Sequence, residues 1–430
     1  MTARLPDHLD LIAGAPGGIG KLRGLILELA VRGKLVPQDP NDEPASELLK
    51  RIAQERARLE GGTARKNNEQ ASLGDDGAPF ALPASWQWAR FSEIARHNSG
   101  KTLDKGRNSG QAREYITTSN LYWGRFELGD LRQMLIEENE LERCTAVKND
   151  LLICEGGEAG RAAVWPYDKE VCFQNHVHRA RFFGGIAPYF GFRFFEWLNA
   201  AGEMDQFRIG VGISNMSGKA LASIPFPLPP LAEQHRIVAK VDELLALCDR
   251  LEAEQADAQS AQARLVDTLL GTLTQSSDDA NLATNWQRLA EHFATLFTTE
   301  ASLDALKQTI LQLGLSGQLT DIDSFEPLKL GDLLIDACYG TSQKCDSTRV
   351  NGACPVLRIP NVVQETLDLT DLKFSVLEEK ELQKVSLLEG DLLVVRTNGS
   401  AELVGRCAVV KQLPEKAAFA SYMIRLRFDP

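Results

Sequence analysis

The segment LRGLILELAVRGKL at residues 22–35 returns as LKQTILQLGLSGQL at residues 306–319, and Leu22, Ile26, Leu27, Leu29, Gly33 and Leu35 all recur 284 positions later. Further blocks recur at an offset near 240 that drifts to 246 through short insertions. FSEI at 91 answers LGDL at 330, and SNLYWGRFELGDL at 119 answers PNVVQETLDLTDL at 360. VKNDLLICEGGEAGRAAV at 147 answers LEGDLLVVRTNGSAELVGRCAV at 388, and NHVHRARF at 175 answers SYMIRLRF at 421. One module with a helical lead-in is therefore used twice, and both copies must reach one architecture from different side chains. Within a copy, DLLIC and DLLVV are short apolar runs, while HVHRARF and MIRLRF alternate polar with apolar. Gly and Asn cluster between these runs. The pattern predicts an α+β module, an irregular sheet with loops gathered along one side.

Between the copies lies PFPLPPLAEQHRIVAKVDELLALCDRLEAEQ, residues 225–255, in which four prolines stiffen the chain before a long stretch without a helix breaker. Pro229 and Pro230 fix φ where a helix begins, at little cost in hydrogen bonds. Val241, Leu244, Cys248, Leu251, Gln255, Ala258, Gln262, Leu265 and Leu269 alternate at steps of three and four, which is coiled-coil spacing. Gln255 and Gln262 interrupt the seam as polar residues do when they set register. About forty helical residues would span roughly 60 Å. Residues 61–83, GGTARKNNEQASLGDDGAPFALP, read as a flexible tether.

A chain of 430 residues with 43% hydrophobic content is too long for one ordinary domain and too apolar to be disordered. Eight cysteines without a C-x-x-C pair read as reduced thiols in a cytoplasmic protein. No run approaches eighteen apolar residues, so no membrane span is expected. The net charge of −12 argues against a polyanionic partner until its distribution is inspected. Residues 96–125 carry Arg96, Lys101, Lys105, Arg107, Arg113 and Arg125 against Asp104 and Glu114, while residues 241–280 carry nine acids against Arg250 and Arg264. One region is suited to phosphates, the other to solvent or a basic protein surface.

Three motifs could carry catalysis, and each has a plainer reading. ARHNSGKT at 95–102 fits a relaxed phosphate loop, but LDKGRNSGQ cannot continue the helix such a loop needs, and the second copy has YGTS without lysine. His176 and His178 stand at an i, i+2 spacing, yet no third ligand has characteristic spacing, and the second copy has Tyr422 and Ile424 there. Asp371, Glu378 and Lys380 faintly match a nuclease triplet within a stretch that reads better as an exposed helix.

The phrase PLPPLAEQHRIVAKVDELLALCDRLEA, the lead-in KLRGLILELAVRGKLVPQDPNDEPASELLKRI and the repeated module together resemble the specificity subunit of type I restriction-modification enzymes. The resemblance runs from about Leu22 to the end. It implies two target recognition domains separated by long helices that form an antiparallel coiled coil. Each domain would read one half of a split site in double-stranded DNA. The helices would set the spacing and hold the modification (methyltransferase) subunits, alongside restriction (translocase/nuclease) subunits. On this basis residues 1–62 form a helical conserved region, 63–83 a linker, 84–228 the first recognition domain and 229–275 the central helix. Residues 276–324 hold a linker and the repeated lead-in, and 325–430 an incomplete second recognition domain. The counterpart of residues 183–270 is missing from copy two, so self-association of two chains is a further expectation.

No catalytic residue, metal ligand or cofactor is assigned to this chain, and S-adenosylmethionine, ATP and Mg2+ are expected on the partner subunits. The chain carries no Asn-Pro-Pro-aromatic or Asp-Pro-Pro-aromatic tetrapeptide of amino-methyltransferases and no helicase motif set. The alternatives are a free-standing nuclease or methyltransferase and a protein-binding coiled-coil scaffold. Candidate DNA-binding residues in the first copy are Lys101, Thr102, Arg107, Ser119, Asn120, Glu155, Arg161, Asn175, His176, Ser214 and Asn215. Those in the second are Thr341, Ser342, Asn361, Arg396, Asn398 and Ser400. Candidate partner-binding residues are Val241, Asp242, Glu243, Leu244, Asp249 and Leu251.

Overall fold

A computed structural model describes residues 15, 17–59, 79–104, 106–210, 214–319, 328–363, 366–413 and 415–429. Most of the expected tether falls outside these residues. The chain folds as two compact units, Met1–Thr268 and Leu269–Pro430.

Unit 1 opens with helices α1 (Gly18–Val31) and α2 (Ala45–Leu59). The strands that follow are β1 (Gln87–Arg90), β2 (Ala95–Ser99), β3 (Gln111–Ile116), β4 (Arg132–Ile136), β5 (Thr145–Ala146), β6 (Leu151–Cys154), β7 (Gly156–Gly157), β8 (Ala162–Val164), β9 (Val171–Phe173) and β10 (Val177–Phe182). Helix α3 (Pro188–Ala200), short strand β11 (Ser214–Asn215), strand β12 (Pro225–Leu228) and helix α4 (Leu231–Thr274) complete the series. Two four-stranded sheets result, in the orders β8-β6-β10-β2 and β4-β3-β9-β5, and β1 pairs separately with β12.

Helix α3 was not anticipated from its sequence, PYFGFRFFEWLNA, because aromatic residues surround the helix instead of forming one stripe. It is buried on nearly every side: Phe190, Phe192, Phe194, Phe195, Trp197 and Leu198 all lie in the core. Phe226 of β12 stands among Phe91, Phe182, Phe190 and Phe194, with ring centroids 4.8–6.4 Å apart. Helix α1 packs against α3.

Helix α4 is continuous over 44 residues, as its composition led us to expect. Its buried positions follow the coiled-coil seam in the first half, where Leu244 and Leu251 pack partly beside buried Val241 and Cys248, and shift by one position in the second. Ile237, Val241 and Cys248 are buried in the first half, but farther along Val266, Leu270 and Leu273 are buried while Leu265 is half exposed.

In unit 2, α5 (Asp279–Glu291) and α6 (Glu300–Leu315) precede β13 (Leu334–Tyr339), β14 (Cys354–Leu357) and β15 (Lys373–Ser375). Then come α7 (Glu379–Val385), β16 (Leu392–Val395), β17 (Cys407–Val409), β18 (Ala418–Phe419) and β19 (Met423–Phe428). The order β17-β16-β19-β13 reproduces that of the first unit 1 sheet, and β15-β14-β18 repeats three of the four strands of the second. The stretch 371–385, read as one exposed helix, divides between β15 and α7.

What differs between the copies is the cover. Phe91, Ile94 and Val164 are buried, whereas their counterparts Leu330, Leu333 and Val409 are exposed. Likewise Ile26 and Leu27 of α1 are buried and Ile310 and Leu311 of α6 are exposed. Among the described residues, unit 2 has no counterpart of α3 and β12.

Candidate nucleic-acid interface

The loops at one end of the unit 1 sheets are tied together by backbone hydrogen bonds. Lys101 N donates to Phe173 O at 3.0 Å, Asn175 N to Lys101 O at 3.0 Å and Gln174 N to Ile116 O at 2.9 Å. Glu155 N donates to His176 O at 2.8 Å and Met216 N to Glu155 O at 2.7 Å, while β11 pairs with β7. Gly100 makes this closure possible, since a Cβ there would sit inside the Phe173 carbonyl. The result is one rim that gathers residues 99–102, 117–120, 155–161, 174–176 and 214–216. Unit 2 repeats it. Thr341 N donates to Phe419 O at 2.8 Å and Ser421 N to Thr341 O at 2.8 Å, with Gly340 pressed against the same carbonyl.

At the opposite end of the same strands each unit holds an ion pair on a buried aspartate. Asp150 accepts Arg181 Nε and Nη2 at 2.8 and 2.7 Å and the Val147 amide at 2.8 Å. Asp391 accepts Arg427 at 2.6 and 2.7 Å and the Leu388 amide at 2.7 Å. Arg179 and Arg425 are buried beside them. Burial pushes the Arg179 guanidinium down to about 10, and it donates to the Glu142 and Thr145 carbonyls. None of these groups was singled out in the sequence, although the repeated Asp-Leu-Leu and Arg-x-Arg were in view.

The rim brings most unit 1 candidates together, but it does not leave them all free. Thr102, Ser119, His176 and Asn215 are exposed, Glu155 and Asn175 are partly buried, and Arg107 projects from the separate 104–110 loop beside Asp104. Lys101 is instead paired with Glu140, which holds that carboxyl below its usual range. Arg161 binds Glu158 and the Thr118 carbonyl and lies over the Tyr122 ring. The Ser214 hydroxyl donates to Gly157 O at 2.7 Å.

Asn120 is a correction. It is buried, its oxygen accepting from Thr117 N at 3.0 Å and its amide donating to Glu127 O at 3.0 Å, so it folds its own turn. Asn361 does the same with Arg358 N at 2.8 Å and Asp368 O at 2.9 Å. Replacing Asn120 with alanine should cost about 1–3 kcal/mol by leaving these groups unpaired. Urea denaturation checks this, and an unchanged midpoint would contradict it.

In unit 2, Thr341 is also buried, with its hydroxyl on Glu381 at 2.6 Å. Ser342 and Ser400 are exposed, Asn398 caps the Ser400 amide at 2.9 Å, and Arg396 lies over Tyr339 at 4.6 Å. A groove of about 830 Å³ runs between these loops, lined by Ser342, Lys344, Arg358, Asn398, Arg406 and Tyr422 among others.

The partner-surface candidates face inward more than the seam reading expected. Val241 is core, and Leu244 and Leu251 pack partly against the same cluster. Asp242 binds Arg193 of α3 at 2.6 Å, and Asp249 binds Arg23 of α1. Among the described residues, Glu243 pairs with its helical neighbour Lys240. The start of α4 is held by two side chains that sequence reasoning passed over. Buried Glu233 accepts from Trp86 Nε1 at 2.9 Å, and buried Gln234 accepts from Ala187 N and donates to Pro229 O, both at 2.9 Å. Their signal was the Leu-Ala-Glu-Gln that closes the proline phrase.

The rejected catalytic motifs gain nothing from the fold. Ala95–Ser99 is a strand, and the described residues after Thr102 form a turn. His178 is buried with Nε2 3.1 Å from Met216 O, while His176 lies in the turn before β10. Among the described residues no group of three or more His, Cys, Asp or Glu could hold a metal ion, and no helix is long and apolar enough to cross a membrane.

Residues 83–259, which include both unit 1 sheets and the first turns of α4, match the family described as type I restriction modification DNA specificity domain. The type I restriction enzyme EcoAI specificity subunit of Escherichia coli is 39% identical over 329 residues, covering 71% of this chain and 53% of that one. This chain belongs to the type I restriction-modification specificity family. The EcoEI specificity subunit of Escherichia coli is likewise 39% identical, over 71% of this chain and 52% of that one. The chain thus spans about half the length of these two relatives. A crystal structure of the HsdS subunit from Thermoanaerobacter tengcongensis aligns with a TM-score of 0.45 at 16% identity, over 82% of this chain and 77% of that one.

Proposed function

We propose that this member of the specificity family reads DNA sequence for a type I restriction-modification assembly, each unit contacting one half of a two-part target through its rim. The observation that carries the reading is the repetition of one scaffold, Gly100/Gly340, Asn120/Asn361 and Asp150–Arg181/Asp391–Arg427, in units whose exposed loop side chains differ. A constant frame under variable donors and acceptors suits base reading, since base edges specify while phosphate contacts position. Methylation and cleavage belong on this reading to the modification and restriction subunits, with their S-adenosylmethionine, ATP and Mg2+. The exposed Glu243 and the outer face of α4 are the surface left for a modification subunit. Incubating the purified chain with randomised duplex DNA and sequencing the retained fraction tests the reading. A recovered two-part motif is the expected result, and retention without sequence preference would refute it.

A further inference from the structure

The two rims share one cross-strand position at which the chemistry is inverted. Cys154 N donates to Arg161 O at 2.7 Å and Gly160 N to Cys154 O at 2.8 Å, and in unit 2 Val395 N donates to Arg406 O at 2.8 Å and Gly405 N to Val395 O at 2.9 Å. The next residues, Glu155 and Arg396, are therefore equivalent. Each amide then reaches across to the turn before the long strand. Glu155 N donates to His176 O at 2.8 Å and Arg396 N to Tyr422 O at 2.9 Å. The backbone is the same and the side chains are not.

From this geometry we infer that Glu155 with His176, and Arg396 with Tyr422, form the specificity-determining pair of each unit. The inference rests on the DNA-reading proposal above. His176 and Tyr422 are 54% and 57% exposed, so both stand clear of the sheet. The Glu155 carboxylate is partly exposed, 3.9 Å from His176 Nδ1, and presents acceptors only. Arg396 is exposed, stacks on Tyr339 and presents donors only. A carboxylate in a groove accepts from the exocyclic amine of cytosine, whereas a guanidinium donates two parallel bonds to guanine O6 and N7. Unit 1 should then select cytosine, and unit 2 guanine, at the position facing this pair.

The scaffold glycine, asparagine, aspartate and arginine are identical between copies, and Lys101 and Thr341, which differ, are engaged in internal contacts. The charge reverses at a site that stays open.

The full chain and three variants, selected against the same randomised duplex library, test the assignment. Glu155→Gln keeps the shape of the side chain and should move the unit 1 preference from cytosine toward adenine, which matches an amide, by on the order of tenfold. The exchange Glu155→Arg with His176→Tyr should move it to guanine, and Arg396→Ala should erase the unit 2 guanine. The other half of the motif should stay as it is in every case. Tryptophan fluorescence shows that the unit 1 variants are folded, and hydrogen exchange along β13 and β19 shows the same for Arg396→Ala. Folded variants that recover the parent motif would overturn the pair assignment while leaving the DNA-reading proposal intact. A parent chain that recovers no motif would overturn both.

Discussion

Replacing Gly100 with alanine should destabilise unit 1 by about 3 kcal/mol, because a Cβ there meets the Phe173 carbonyl and the surrounding backbone has no room to yield. The Lys101 to Phe173 and Asn175 to Lys101 hydrogen bonds would part together, and with them the rim. Trp86, Trp88, Trp123, Trp165 and Trp197 all lie in unit 1, so tryptophan fluorescence during urea unfolding reports mainly on that unit. Gly340→Ala creates the same collision with Phe419 in unit 2. It should leave the tryptophan transition in place and instead speed hydrogen exchange along β13 and β19. A Gly100→Ala midpoint equal to that of the parent would show that the close approach is dispensable.

The second large effect belongs to Phe226. Its ring stands against four other phenylalanines, and it is fully buried. Truncation to alanine should therefore cost about 3–5 kcal/mol, the lost transfer of the ring plus the cavity left behind. The same substitution loosens β12 from β1 and so the proline-bounded start of α4, which Glu233 and Gln234 anchor nearby. Phe226→Leu should recover most of the loss because it refills much of the volume. Urea denaturation measures both, and a loss below about 1 kcal/mol for the alanine variant would mean that the cluster collapses to fill the space.

The contrast between units bears on both results. Leu330 occupies the place of Phe91 but is exposed, so a truncation there should cost far less than one at Phe91. The same module with a different cover should have a different stability, although the order of the shared strands is unchanged.

Much of this was legible without coordinates, and the reason is physical. The repeat at offsets near 240 reports two copies of one backbone, because glycines at close approaches and buried ionic partners tolerate no substitute even where loops diverge. Pro229 and Pro230 mark a helix start through their own covalent geometry, and the continuous length of α4 follows from the absence of any breaker. The gathering of Ser119, Glu155, His176 and Asn215 into one rim was likewise readable, since loops that separate the strands of a small sheet collect at its ends.

What only the tertiary structure decided is which side chains are free. Asn120 and Asn361 look like base readers in the sequence, yet both are spent on their own turns, and Lys101 is spent on Glu140. Val241, Asp242 and Asp249 look like a surface for another helix, but α3, α1 and the unit 1 core engage them within the chain. Helix α3 escaped notice because a helix buried all round has no stripe to see. Local pattern determines the backbone a residue belongs to. Whether its polar atoms or its apolar face remain unpaired depends on neighbours hundreds of positions away, and those distances exist only once the chain has folded.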